Sequence, residues 1–322
     1  MSWFVNVRIH PSQFPENVRR DLLASLRRRK INHKFHYDSV KQAQKWLALH
    51  QRHSPARNDA DCRAIYEKSF RAAAATFEAA RVHVIGLGCG GGQKDARLVK
   101  RLKAVGRGVY YTPCDVSVAL VLTACRAVRA AAPDGYCFPF VCDLATAGDL
   151  PGCLATLHPS LITFFGMIPN FEPREILSRL ASLLRPDDFL LFSANLAPGQ
   201  NYARGMEKIL PQYDNALTRD WLMTFPRDLG IETGDGQLRF SIENGGSGLK
   251  RVVVRFHFRR SRRIELEGHP FRFRKGDALR LFFSYRYTPD RVETVLKKYH
   301  LEVCDRWIAK SGEEGVFLCR RR

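Results

Sequence analysis

The chain has no run of roughly 18 uncharged apolar residues, so a membrane-spanning helix is not expected. Its opening stretch, MSWFVNVRIHPSQF, lacks the charged start, apolar core and small-residue cleavage site of a secretion signal, and none is expected. The cysteines number nine, an odd count, and include no CxxC pair. That argues against a disulfide framework or a zinc site and for reduced thiols in a cytoplasm. Internal repeats and long low-complexity segments are missing as well.

Acidic residues are scarce beside basic ones: 32 Asp and Glu face 52 Lys and Arg, a net charge of +20. Such an excess suits phosphates, because Lys and Arg release their counterions. The basic residues concentrate in RRDLLASLRRRK (19–30) and in FRRSRR and PFRFRK (within 258–275). In the first of these, Leu22, Leu23 and Leu26 fall on one helical face with arginines around the rest, the pattern of a solvated helix. RNP, KH and zinc-knuckle patterns are absent, so nucleic acid is a possible but not a favoured partner.

What is present is an alternation. The chain of 322 residues is 45% apolar, enough for one large core or two ordinary ones. HVIGL (83–87), GVYYTPCD (108–115), CFPFVCD (137–143), LITFFG (161–166) and FLLFSAN (189–195) read as strands separated by amphipathic helices. That succession predicts a doubly wound, mostly parallel α/β sheet of Rossmann-like type. Antiparallel patterns follow, including a hairpin around residues 244–248 and a terminal hairpin, LEVCDRWIAK with GVFLCRRR. The first 77 residues are expected to be mostly helical and to contribute nothing to the sheet. The expected division is a substrate-binding α+β unit (1–57 plus 204–286) and a cofactor-binding unit (58–203 plus 287–322).

The turn after the first strand, GLGCGGG (86–92), packs five glycines into seven residues. Glycine permits positive φ and close backbone approach, and the helix that follows offers free N–H groups. A dinucleotide and S-adenosylmethionine both use such a turn. Asp115, at the end of the second strand, suits the ribose hydroxyls of either. Asp143, at the end of the third, suits an adenine amino group. The LLRPDD turn (183–188) resembles the LxPGG turn common in class I methyltransferases, and the closing helix with two strands resembles their sixth and seventh strands, which favours S-adenosylmethionine. His50 and His53, or His33 and His36, share helical spacing but lack a third ligand, so no metal is expected.

Seven segments in order resemble the histidine-specific Nα-methyltransferase family, whose members are class I methyltransferases. HKFHYDS (33–39) is similar to the family's PKxFYD, HSPARNDAD (53–61) to YYPTRxE, and LGCGGGQK (87–94) to LGSGxSxKT. TPCDVS (112–117) resembles VPxDVS, and FFGMIPNFEPRE (164–175) resembles FLGSTIGNFxPxE. ILPQYDNALT (209–218) is similar to RAYDDxxGVT, and RKGDALRLFFSYRY (274–287) to GExxxTExSYKY.

The resemblance implies a fold with a second, β-rich unit and implies roles. Gly88, Gly90 and Lys94 would meet the cofactor's methionine and ribose, Asp115 its ribose, and Asp143 and Leu144 its adenine. Tyr37, Gly166, Asn170 and Tyr213 would hold an amino-acid head group. Tyr37 and Asn170 would orient the amine, and Tyr37 or water would take its proton. Ser284 would face the substrate side chain.

Four positions depart from the family. Gly86 replaces an acidic residue, which predicts weaker cofactor binding. His53 and Phe282 replace contacts to an imidazole ring, and Val252 leaves room. A phenylalanine cannot accept from an imidazole N–H, and a buried unpaired donor costs about 1–3 kcal/mol. A small amine or amino acid with a more apolar or aromatic side chain than histidine is therefore the expected substrate. The other readings are histidine itself, an RNA- or protein-modifying methyltransferase, and a binding protein without turnover.

Overall fold

The computed structural model describes residues 4–322; residues 1–3, which begin the stretch read for a secretion signal, lie outside them. A short strand, β1 (Arg8–Ile9), precedes helices α1 (Pro15–Arg27), α2 (Val40–His53), α3 (Pro55–Asn58) and α4 (Ala60–Ala75). Proline begins α1 and α3, where its missing N–H costs nothing. Ser39 and Gln42 close a reciprocal capping box on α2.

Strand and helix then alternate: β2 (Arg81–Leu87), α5 (Gln93–Ala104), β3 (Gly108–Asp115), α6 (Val118–Ala131), β4 (Tyr136–Cys137) and β5 (Phe140–Val141). The series continues through α7 (Leu150–Cys153), β6 (Ser160–Phe165), α8 (Pro173–Leu183) and β7 (Phe189–Asn195). Helices α9 (Tyr202–Tyr213) and α10 (Ala216–Asp228) lead into strands β8 (Gly236–Asn244) and β9 (Lys250–Phe258). Strands β10 (Arg262–Leu266), β11 (His269–Phe273) and β12 (Ala278–Arg286) follow. The chain closes with α11 (Pro289–Lys297), β13 (Leu301–Ile308) and β14 (Glu314–Arg321).

Nine strands form the main sheet in the order β1-β5-β3-β2-β6-β7-β14-β13, with β4 beside β3. Pairing is parallel up to β7, and β14 runs antiparallel between β7 and β13. Both faces are covered, which is why the central strands read as unbroken apolar runs. Ile85, Ile162 and Phe192 pack with α8 and α11 on one face. Val84, Leu161 and Leu191 pack with α4, α5 and α6 on the other.

Two expectations change here. The first 77 residues do contribute a strand, since β1 pairs in parallel with β5 at the sheet edge. The single strand expected over 137–143 is two short ones, because Pro139 has no N–H to continue the ladder.

A second sheet, β12-β9-β8, is antiparallel, and β10 and β11 form a separate hairpin. Its residues alternate between faces, as strands must. Val254, Phe256 and Phe282 pack with Leu23 and Leu26 of α1 and with Trp221, Leu222 and Phe225 of α10. Val253, Phe283 and Tyr285 join the core of the main sheet instead. The second sheet is therefore pressed between the N-terminal helices and the strand ends of the first.

Candidate active site

The strand order reverses between β2 and β6, and a cavity of about 660 Å³ opens beyond the carboxyl ends of those strands. The glycine turn after β2 forms part of its wall. Gly88, Gly90 and Gly92 adopt φ of 61°, 51° and 70°, a region that suits glycine. A Cβ on Gly88 would lie 2.5 Å from the Met167 side chain, and one on Gly90 2.7 Å from Trp46. The turn is bare because neighbours close on it.

Two carboxylates stand at strand ends beside the turn. Asp115 Oδ2 accepts from Gly90 N at 3.1 Å, and Oδ1 accepts from Ser117 N at 3.1 Å. Burial raises its pKa to about 6, against three backbone hydrogen bonds that lower it. Asp143 Oδ1 accepts from Ala145 N at 2.8 Å. Asp143 Oδ2 is buried without a hydrogen bond, although the Lys34 ammonium stands 3.3 Å away as an ion-pair partner. That spare acceptor suits an adenine amino group, and the bare turn suits a close ligand backbone. The residues present fit S-adenosylmethionine. Leu144 lines the same wall. Lys94 lines it too, donating to Tyr66 Oη at 2.6 Å and lying 3.8 Å from Glu314. Burial lowers the Lys94 pKa, and Glu314 opposes the shift.

Gly86 does not leave the site without an acid. Asp95, in the first turn of α5, is 2% exposed and lines the cavity. It accepts from Tyr111 Oη at 2.7 Å and from Thr163 Oγ1 at 2.8 Å. A Cβ added to Gly86 would run into the Asp95 carboxylate. The Asp95 carboxylate thus occupies the space that a side chain at Gly86 would need, and burial raises its pKa to about 6.

Tyr37, His53, Gly166 and Asn170 line the same cavity. Gly166, at φ 71°, donates its N–H to Ser193 Oγ at 2.9 Å. The Tyr37 hydroxyl and the Asn170 carboxamide have no hydrogen-bond partner among the described residues. Burial, with the nearby Asp115 charge, pushes the Tyr37 phenol well above its usual range, so it stays protonated. His33 also lines the cavity, and its Nε2 accepts from Phe283 N at 3.2 Å. Its proton therefore sits on Nδ1, which leaves no free lone pair.

Tyr213, Phe282, Ser284 and Val252 are not in the cavity wall. Tyr213 Oη donates to Ser284 Oγ at 2.8 Å and accepts from Arg286 Nε at 3.2 Å. Phe282 stacks on His33 with ring centroids 4.9 Å apart and meets Trp221 edge-on. In register, Phe282 and Ser284 face Val254 and Val252, on the helix-packed side of the second sheet. Phe283, one residue on, reaches the cavity. The motif fixed the spacing of these residues but not the face each would take.

Sequence reasoning also passed over Lys34, which is buried between Asp21 at 2.6 Å and Asp143 at 3.3 Å. Its signal was available, since it lies inside the HKFHYDS segment. Outside the cavity, His10, Asp149 and Cys153 cluster at metal-ligand distances. His10 Nδ1 accepts from Ser12 N at 3.0 Å, so Nε2 carries the proton and donates to Asp149 at 2.8 Å. That tautomer has no lone pair to offer a metal.

A doubly wound sheet whose last strand inserts antiparallel, with strand-end carboxylates around a glycine turn, defines a class I methyltransferase fold. A family model described as histidine-specific methyltransferase, SAM-dependent, matches residues 18–321, and the chain belongs to that family. The N-methyltransferase imqF of Aspergillus flavus is 23% identical over 243 residues, covering 72% of this chain and 66% of that protein. The match thus spans just under two thirds of that relative's length. The structure resembles the CcbJ methyltransferase from Streptomyces caelestis at 14% identity and a TM-score of 0.38, over 80% of this chain and 94% of that one. It also resembles a Burkholderia thailandensis 1,6-didemethyltoxoflavin-N1-methyltransferase with bound S-adenosylhomocysteine, at 12% identity and TM-score 0.43, over 87% and 88% of the two chains. Likenesses this distant say nothing about substrate.

Proposed function

We propose that the protein transfers a methyl group from S-adenosylmethionine to the amino nitrogen of a free amino acid or related small amine, with a side chain more apolar or aromatic than imidazole. One observation carries this reading. The glycine turn and the carboxylates of Asp115 and Asp143 share a single cavity with the Tyr37 hydroxyl and Asn170 carboxamide, which have no hydrogen-bond partner among the described residues. In the proposed division, residues 58–203 plus 287–322 hold the cofactor and residues 1–57 plus 204–286 close over the acceptor. Gly88, Gly90, Lys94, Asp115, Asp143 and Leu144 would hold S-adenosylmethionine, which supplies a sulfonium-activated methyl group. A cytoplasmic setting agrees with nine unpaired cysteines.

The remaining chemistry is alignment. The acceptor nitrogen forms its new bond to carbon as the S–CH3 bond breaks, and sulfur leaves with that electron pair. The amine needs its lone pair. Tyr37 stays a neutral phenol, so it orients the amine and does not act as its base; Asn170 is the second orienting group. His33 has no spare lone pair. The amine therefore binds neutral or loses its proton to water, and kcat/KM should rise with pH as the free amine deprotonates.

The apolar preference now rests on Phe283, with Trp46 and Leu49, all in the cavity wall. Burying apolar surface there contributes about 25 cal/mol per Å². A competition assay with equal amounts of histidine and the aromatic amino acids tests the reading. Preferential methylation of an aromatic member supports it; histidine methylated best would overturn the side-chain preference.

A further inference from the structure

The second sheet presents three arginines on its cavity side. Arg251 and Arg255 lie on β9, and Arg280 lies opposite Arg255 on β12. A bulge between Arg280 and Phe282 brings Arg280 and Phe283 to the same wall of the cavity. Arg251 binds Glu172 at 2.8 Å and reaches Glu243 at 3.9 Å, and Arg255 binds Glu243 as well. The second oxygen of Glu172 accepts from Tyr285 Oη at 2.6 Å. Both carboxylates are thus already engaged.

Arg280 is left over. Among the described residues its guanidinium has no ion pair and no hydrogen bond, and its one close partner is the Phe283 ring, 5.0 Å to the centroid. Three arginines against two glutamates leave one positive charge in the wall without a counter-ion. Of the other charged residues in the lining, Arg28, Lys30 and Glu175 are exposed, and Asp21 and Asp143 are paired with Lys34. Burial and the like charges of Arg251 and Arg255 disfavour the Arg280 cation, and Glu172 and Glu243 offset them only in part. An anion brought into the cavity would reverse that.

We propose that Arg280 binds a carboxylate of the substrate, which makes the acceptor an amino acid or another amine carboxylate rather than a plain amine. A guanidinium matches a carboxylate through two parallel hydrogen bonds, which few other side chains can do. Phe283 packs against the guanidinium and fixes its plane. The Tyr213 hydroxyl, which the family resemblance assigned to the head group, is occupied by Ser284 and Arg286. Arg280 takes over its part, while Tyr37 and Asn170 remain for the amine. This inference rests on the N-methyl transfer proposed above.

The test has two arms, each run on the full chain saturated with cofactor or its product. The first compares methyl transfer within pairs that differ only in the carboxylate: tryptophan and tryptamine, phenylalanine and phenethylamine, histidine and histamine. The carboxylated member of the best pair should win by at least about tenfold in kcat/KM. That preference should vanish in Arg280→Gln and be partly kept in Arg280→Lys. The second arm measures binding of indole-3-propionate, which has no amine, by calorimetry with S-adenosylhomocysteine bound. Arg280→Gln should weaken it at least about tenfold while leaving S-adenosylhomocysteine affinity unchanged. Plain amines accepted as well as amino acids, or no binding of indole-3-propionate to wild type, would overturn the assignment. If no amine is methylated yet indole-3-propionate still distinguishes the variants, the N-methyl reading fails and the carboxylate site stands.

Discussion

Burial raises the Asp115 carboxyl to about 6, and ribose hydroxyls donating to it would favour the ionised form. Below that value the free protein must lose a proton to bind cofactor. S-adenosylhomocysteine affinity should therefore fall between pH 7 and pH 5, approaching tenfold per unit at the acid end. At neutral pH Asp115→Ala should weaken binding by about 1–3 kcal/mol. A pH-independent affinity in calorimetry would show that the carboxylate does not meet the ligand. Gly86 and Asp95 give a second test. Gly86→Asp should lower Tm and cofactor affinity, because it forces a second carboxylate against Asp95. Adding Asp95→Thr should restore much of the loss, with a coupling of about 0.5–3 kcal/mol in the double-mutant cycle. Additive effects would mean that the two positions do not exchange roles. The absence of an acid at Gly86 was plain in the sequence. The Asp95 carboxylate beside it, in the first turn of α5, was not, because only the fold brings Asp95 over β2.

At the scale of elements, the doubly wound sheet was legible because each strand is an apolar run between amphipathic helices, and the glycine turn marked its switch point. β1 was not legible. Two residues, Arg8 and Ile9, carry no period, and their pairing with β5 is a tertiary event. The β12 strand shows the other limit. Alternation puts Phe282 and Phe283 on opposite faces, and the bulge after Arg280 decides which face is which. Phe282→Ala should thus cost about 3–5 kcal/mol in denaturant unfolding by opening a cavity between His33 and Trp221. Phe283→Ala should change the ranking of substrates. Intact stability with altered ranking in Phe282→Ala would return that residue to the substrate pocket.

For the whole molecule, titration of buried groups sets the acid limit. His33, His36, His50 and His83 are held neutral, chiefly by burial, with His36 and His83 lowered to about 4 and His50 to about 3. Below about 6.5 the unfolded chain binds protons that these native histidines refuse, so they add stability as pH rises from about 4 to about 6.5. Asp95 and Asp115 act oppositely, since their raised values make the native state hold protons that the unfolded chain releases. His257 is lowered as well and Asp38 raised, so five groups against three predict a higher Tm at pH 7 than at pH 5; a lower one would mean that the carboxyls dominate. The net charge of +20 is spread over surface arginines, many paired with carboxylates. Nucleic acid should bind it weakly, at micromolar affinity or poorer near physiological salt.

Methyl-labelled S-adenosylmethionine, incubated with the protein and separate pools of amino acids, RNA and peptides, tests the central claim most directly. The account predicts label on the amino nitrogen of a small amine, appearing one for one with S-adenosylhomocysteine. Label on RNA or peptide, or no transfer by protein that binds the cofactor, would contradict it.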